Sequence, residues 1–336
     1  MNHHTTDVVI IGAGPVGLFA IFECGMMKLK THVIDTLEEV GGQCTALYPE
    51  KPIYDIPAHP EILAGELIDN LKKQADPFSP TYHLGQQVTH LEKEESGWHI
   101  RTSKGVSISC KAVIIAAGVG AFGPNRPPLQ HIENYENKSV FYFVRNKESF
   151  RGKKVVIAGG GDSAVDWALN LVDIASHVTV VHRRPKFRAA PDSVSKLQNL
   201  EKEGKLVLAI PYQLGSLHGQ GSTLQKIGLK SLEGEEKIIE ADALLAFFGL
   251  SMNLGPLTEW GLNLEKSHIT VDNGTYQTSA SGIFAIGDVA TYPHKQKLIL
   301  TGFSEAASAA HQIRSIVYPK ETFHFQYSTS QGVPGA

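Results

Sequence analysis

Apolar residues along this chain fall in short unbroken runs that stop at glycines, and the same succession of runs occurs twice. The first run, Val8-Val9-Ile10-Ile11, leads into Gly12-Ala13-Gly14-Pro15-Val16-Gly17. A run apolar at every position predicts a strand buried on both faces, as in a parallel sheet covered by helices. A helix is expected next, from Pro15 to Met27, and a second strand over Thr31–Ile34 that ends at Asp35. Gly41-Gly42-Gln43 predicts a loop lying against something flat. The proline-rich stretch Ala46–Pro57 excludes a regular helix and predicts a rigid surface loop. Glu61–Gln74 has helical periodicity, with Ile62, Leu63, Leu67, Ile68 and Leu71 on one side. Gln86–Leu91, Trp98–Thr102 and Val106–Cys110 alternate and are split by Ser96-Gly97 and Lys104-Gly105, the pattern of an antiparallel meander. A fully apolar strand, Ala112–Ala117, follows it, and the proline- and glycine-rich Gly120–Pro128 reads as a linker.

The second half repeats this grammar. Lys153–Ala158 is a strand, Gly159-Gly160-Gly161-Asp162-Ser163-Ala164 a glycine turn, Ser163–Ile174 a helix and Val178–Val181 a strand. A second meander within Leu206–Lys237 feeds an apolar strand, Ala243–Phe248, ending at Gly249. What remains is too short for a third core of this kind. Ser281–Val289 reads as a strand returning to the first sheet, followed by a helix over Phe303–Ile316 with Thr301 as its N-cap. The expected fold class is α/β: two Rossmann-like, three-layer ββα dinucleotide-binding domains, each with an antiparallel meander. Residues 1–118 and 250–336 form the first domain, which is interrupted by the second at 119–249.

The glycine turns carry the chemistry. Gly12 permits the tight turn, Gly14 lets the backbone approach a pyrophosphate, and Gly17 lets helix pack on strand. Pro15 opens a helix whose positive end is an anion site. Asp35 stands where a carboxylate takes ribose hydroxyls. In the second half Gly159, Gly161 and Ala164 repeat the spacing, with Asp162 and Ser163 in the turn. Where an acid would stand there is His182-Arg183-Arg184, with Arg188 close behind. A carboxylate repels a 2′-phosphate, whereas guanidinium groups clamp it, so this half is expected to prefer NADP over NAD. Glycines can serve packing alone, and a basic loop can be merely solvated. Their matching stations in the two halves favour two different dinucleotides.

Composition narrows the picture. Apolar residues make up 42% and charged ones 19%, typical of a globular protein, and the net charge of −3 gives no overall field for nucleic acid or a membrane. The longest apolar run is far shorter than the roughly 18 residues of a membrane span. The three cysteines, Cys24, Cys44 and Cys110, form neither a disulfide framework nor a Cys-x-x-Cys. A reducing cytoplasm is therefore the expected location. No cluster among the 15 histidines has metal-ligand spacing, so no metal is expected. Trp98 and Trp167 are read as packing residues, and His59 and His294 as solvated.

Gly12–Gly17, the Ala112–Gly118 strand, the second glycine turn with its arginines, and Gly287-Asp288 together resemble the two-dinucleotide-domain flavoprotein reductases, which bind FAD first and NAD(P)H second. The layout is similar to the low-molecular-weight thioredoxin reductases, but the stretch matching their redox dithiol, Ser139–Phe150, has no cysteine. Gly41-Gly42-Gln43, Leu47-Tyr48-Pro49-Glu50-Lys51 and Tyr327-Ser328-Thr329 bring the chain closest to the thioredoxin-reductase-like ferredoxin (flavodoxin)–NADP reductases. That resemblance implies an enzyme that carries electrons between NADPH and ferredoxin or flavodoxin through FAD: hydride to flavin N5, then single electrons. It further implies that Asp35, Gly42, Gln43, Tyr48, Val88, Phe122, Gly287, Asp288 and Thr329 line the FAD. Tyr48 and Tyr327 would cover opposite flavin faces, Tyr327 coming from the other subunit of a homodimer and gating nicotinamide access. The Phe303 helix would aim its N-terminus at the flavin, and Lys295 and Lys297 could serve an acidic ferredoxin. Cys44 departs from the pattern and is expected to be inert packing. Two rival readings remain: another FAD/NADPH-dependent reductase or monooxygenase, and a non-catalytic sensor of the two nucleotides.

Overall fold

The unbroken apolar runs become central parallel strands, and the alternating runs become antiparallel ones. The computed structural model describes residues 3–321, 329 and 332–334, with side chains at all of these except 121–123 and 250–252. These residues divide into two compact units, one built from the chain up to Phe122 and again from Met252, the other from Gly123–Ser251.

In the first unit, β1 (His3–Ile11) leads through α1 (Pro15–Met26) to β2 (Thr31–Ile34). The chain then makes one helical turn at Gln43–Ala46 and a short hairpin of Pro52–Ile53 with Ile62–Leu63. That pairing takes Ile62 and Leu63 out of the expected helix, so α2 starts later and spans Ala64–Ala75. The loop read as merely rigid is thus pinned at its start, Ala46, and again at Pro52–Ile53. β3 (Thr81–His83) is followed by the meander β4 (Val88–Glu94), β5 (Gly97–Thr102) and β6 (Ser107–Ile115). β6 corrects the expectation of two strands: no turn residue stands between Cys110 and Ala112, so meander strand and apolar strand are one. The sheet order is β3-β2-β1-β6-β5-β4. Ser107–Cys110 pairs antiparallel with β5, whereas Val113–Ile115 pairs parallel with the returning strand Ile283–Ala285.

The second unit has a parallel sheet in which β7 (Val140–Phe141), β8 (Lys154–Ala158), β9 (His177–Val181), β10 (Val207–Ala209) and β14 (Ala243–Ala246) run in the order β7-β14-β8-β9-β10. α3 (Asp162–Leu171) follows β8, and α4 (Pro191–Lys202), a helix the sequence reading did not mark, precedes β10. The meander is β11 (Tyr212–Gln220), β12 (Thr223–Ser231) and β13 (Glu236–Glu240), a separate sheet running three residues past the expected end. Here Ala241-Asp242 breaks the chain before β14. The Asp242 carboxylate accepts from Lys154 N–H at 2.8 Å, and Asp242 N–H donates back to Lys154 C=O. Trp167 is buried in α3, as Trp98 is in β5.

The returning chain supplies Ile283–Ala285 and then α5 (Ile299–Val317), whose N-cap position is Leu298. Thr301 therefore lies inside the helix and does not cap it. Each face of the first sheet has its own core. Val8, Ile10, Ile114 and Phe284 meet α1, α2 and α5, while Val9, Ile11, Val113 and Ile283 meet Val88, Ile100 and Leu257 on the other side. Phe284 is 1% exposed, set between its β6 neighbour Ile114 on one side and an antiparallel bridge to Gln277 on the other. Phe284→Ala is expected to cost about 3–5 kcal/mol by leaving a cavity in that core. Urea unfolding measures this, and an unchanged midpoint would show that the returning strand does not bear on the unit's stability.

Candidate functional site

The site in the first unit begins where β1 meets α1. Gly12 has φ +111°, and a Cβ there would lie 2.3 Å from Ala116 C=O; a Cβ on Gly17 would lie 2.0 Å from Gly12 C=O. These two positions bring turn, helix and β6 into backbone contact. Gly14 differs, because a Cβ there would meet nothing within 4 Å. It is the N-cap of α1, with no side-chain cap and no acid in the first turn, so the helix presents uncapped N–H groups to whatever lies beyond.

What lies beyond is a cavity of about 280 Å³. Of the residues expected at FAD, it is lined by Gly12, Gly14, Pro15, Asp35, Gly42, Gln43, Tyr48, Val88, Gly287 and Asp288. Gly17 is not among them; it packs behind the turn. Phe122 lies in the strand Ala121–Pro124 but outside the described side chains, Tyr327 lies outside the described residues, and Thr329 is exposed. The sequence reading missed Gln86, Gln87, Leu254, Pro256, Leu257, Trp260, Lys297, Leu298 and Ile299, which also line the cavity. For most of these the only sequence signal was their nearness to a turn, such as Gly255-Pro256.

Asp35 stands at the C-terminal end of β2, as the spacing required. Its carboxylate accepts from Ala13 N–H at 2.6 Å and Leu37 N–H at 2.8 Å, locking the glycine turn to the β2 end. Burial raises its pKa against the pull of those donors. Gly42, with φ +57°, lies against Gly14, and Gly41 N–H donates to Ala13 C=O at 2.8 Å. Cys44 follows, buried and hydrogen-bonded to Tyr48; burial pushes its thiol up to about 11 and raises the Tyr48 hydroxyl as well. Across the cavity, α5 begins with no side-chain cap and no acid in its first turn, so its positive end is unquenched beside Leu298 and Ile299. Lys295 is not free to meet a partner: its side chain is 5% exposed and ion-paired with the fully buried Glu305. Lys297 is exposed, 2.8 Å from His268 Nε2, and His59 and His294 are exposed as expected.

In the second unit, a Cβ on Gly159 would sit 2.7 Å from Phe247 C=O and 2.9 Å from the Ala164 Cβ, while Gly161 is open. Ala164 is buried and Ser163 exposed. Asp162 accepts from Ala190 N–H at 2.9 Å, and Arg188 N–H donates to Gly160 C=O at 2.7 Å, so the basic loop is tied to the turn. Arg183, Arg184 and Arg188 are exposed. His182 is not with them: its ring stacks on Phe187 at 5.2 Å and fills the space above Gly160. Burial lowers its pKa and the three arginines lower it further, against a hydrogen bond to Lys186 C=O, so the ring is neutral at pH 7. Among the described residues no group of His, Cys, Asp or Glu is arranged to hold a metal, and no helix is long and apolar enough to cross a membrane.

Residues 6–312 match the profile of the pyridine nucleotide-disulphide oxidoreductases. The chain belongs to that family. Among curated members, the ferredoxin–NADP reductase of Paramagnetospirillum magneticum is 57% identical over 335 residues, 99% of each chain. That of Rhodospirillum rubrum is 58% identical over 98% of this chain and 97% of the relative. Among solved structures, Lactococcus lactis thioredoxin reductase superposes with a TM-score of 0.79 at 26% identity, covering 94% of this chain and 99% of that one. The thioredoxin-reductase-like, two-unit α/β fold is thereby shown. The family is named for disulphide chemistry, yet the three cysteines of this member are all free and buried. Burial holds Cys44 up to about 11, Cys110 up to about 12, and Cys24 higher still. Raised values mean neutral thiols, and thiolates are the reactive form. In native protein at pH 8 an alkylating reagent should therefore label none of the three, whereas in urea it should label all. Fast native labelling of Cys44 would return a redox thiol to the site.

Proposed function

We propose that this chain is a ferredoxin (flavodoxin)–NADP reductase that holds FAD in the first unit and NADPH in the second. The observation that carries the reading is the pairing of two open glycine turns with three neutral, buried cysteines: the chain has seats for two dinucleotides and no dithiol to stand between them and an acceptor. The full-length relatives bearing that name support it. The residues present fit FAD. Uncapped N–H groups of α1 suit a pyrophosphate, Asp35 has a carboxylate at the ribose station, and Gln43, Tyr48 and the start of α5 also line the cavity. FAD, when bound, supplies the exchange between a hydride donor and a one-electron carrier. The protein's part is to bind, orient and shield. The uncapped end of α5 favours negative charge arising beside it. Arg183, Arg184 and Arg188 are free to clamp a 2′-phosphate bidentately, and His182 supports their loop from beneath. Tyr48 and, from a second subunit, Tyr327 and Thr329 complete the flavin's surroundings in a cytoplasmic homodimer. Neither rival reading has an observation of its own in its favour.

The isolated protein should be yellow. In a stopped-flow instrument NADPH should bleach the flavin much faster than NADH, and ferredoxin or flavodoxin should restore the colour. Arg183→Ala combined with Arg184→Ala should raise the KM for NADPH about tenfold or more and leave that for NADH nearly unchanged, since hydrogen bonds to charged groups contribute about 1.5–3 kcal/mol each. A colourless protein that takes up no FAD, or one that reduces only disulphides, would end the reading.

A further inference from the structure

Glu305, on the second turn of α5, is fully buried. A carboxylate withdrawn from water is strongly destabilising unless donors replace its hydration. Three do so, and all come from one loop: Gly287 N–H at 2.6 Å, Tyr292 O–H at 2.7 Å and the Lys295 ammonium. Lys295 is itself buried, its ammonium 5.3 Å from the centre of the Tyr292 ring, and Tyr276 packs edge-on against the same ring. The loop so gathered runs from Gly287 to the start of α5. It carries Asp288, which faces the cavity between buried Gly287 and Val289, and Lys297 and Leu298 on the cavity rim. Gly287 holds φ +72°, a left-handed conformation fixed on one side by Ile286 N–H donating to Ile115 C=O and on the other by the Glu305 carboxylate.

The geometry points to Glu305 as a positioning residue: by holding Gly287 N–H it sets where Asp288 meets the bound dinucleotide, without reaching the cavity itself. This rests on the reading of the cavity as the FAD site. The ion pair with Lys295 is a separate matter. Two buried opposite charges can often be replaced together by apolar groups without loss, whereas a buried N–H cannot lose its acceptor without penalty. The hydrogen bond to Gly287, and not the charge, is therefore the functional contact.

The test uses full-length protein stripped of flavin and measures the FAD dissociation constant by fluorescence quenching, with thermal unfolding as a check on the fold. Lys295→Met with Glu305→Gln removes both charges and keeps an acceptor for Gly287. Lys295→Met with Glu305→Met removes the acceptor too. The first pair should bind FAD within about threefold of the unaltered protein, and the second about tenfold or more weaker, since Gly287 N–H and Tyr292 O–H both lose their acceptor. In a double-mutant cycle, once Asp288→Ala is present the two pairs should bind alike, because the contact acts through Asp288. Equal affinities of the two pairs, or losses that simply multiply with Asp288→Ala, would overturn the inference while leaving the FAD assignment standing. If the unaltered chain binds no FAD, both fall together.

Discussion

The approach of α1 to the strands beneath it rests on one contact, the near-touching of Gly17 and the Gly12 carbonyl. Any side chain at 17 would enter that oxygen, and any at 12 would enter Ala116. With both absent, the helix begins directly above the sheet, its free N–H groups at the end of β1. The cavity, the lock from Asp35 to Ala13, and the loop at Gly42 are arranged around that closeness. The second unit reaches the same arrangement by a looser route, Gly159 against Phe247 C=O and the Ala164 methyl. The two stations differ in the charge nearby, Asp35 in one and exposed arginines in the other.

Local pattern read the interior well and the edges poorly. Val8–Ile11, Thr31–Ile34, Lys154–Ala158 and the return of Ile283–Ala285 to the first sheet were legible because strands buried on both faces leave unbroken apolar runs. Helix starts were less so. Ile62 and Leu63 have helical spacing with Leu67 and Leu71, but a tertiary hairpin with Pro52–Ile53 claims them. Thr301 looks like a cap, yet the helix starts two residues before it because Leu298 already has extended dihedrals. α4 went unmarked because only Leu197 of it is buried.

Around the first unit's cavity, the lining residues tied to a spacing rule were readable: Gly12, Gly14 and Asp35. Those brought by long-range folding, such as Trp260 and Lys297, were not. Charge at a given position also proved a poor guide to exposure. Lys295, between His294 and Gln296, and His182, beside Arg183 and Arg184, both turn inward, one to pair with Glu305 and the other to fill the space over Gly160. A polar residue's role depends on which backbone groups need a partner nearby, and that is decided only once the chain has folded.

β6 has hydrogen-bonded neighbours along both edges, and one of them, Ile283–Ala285, belongs to the far side of an insertion. During synthesis, the second unit has its whole sequence before the first has its last strand or α5. The inserted unit is thus free to fold on schedule, while the outer one waits, Val113–Ile115 of its central strand unpaired on one side, until the chain comes back to close it.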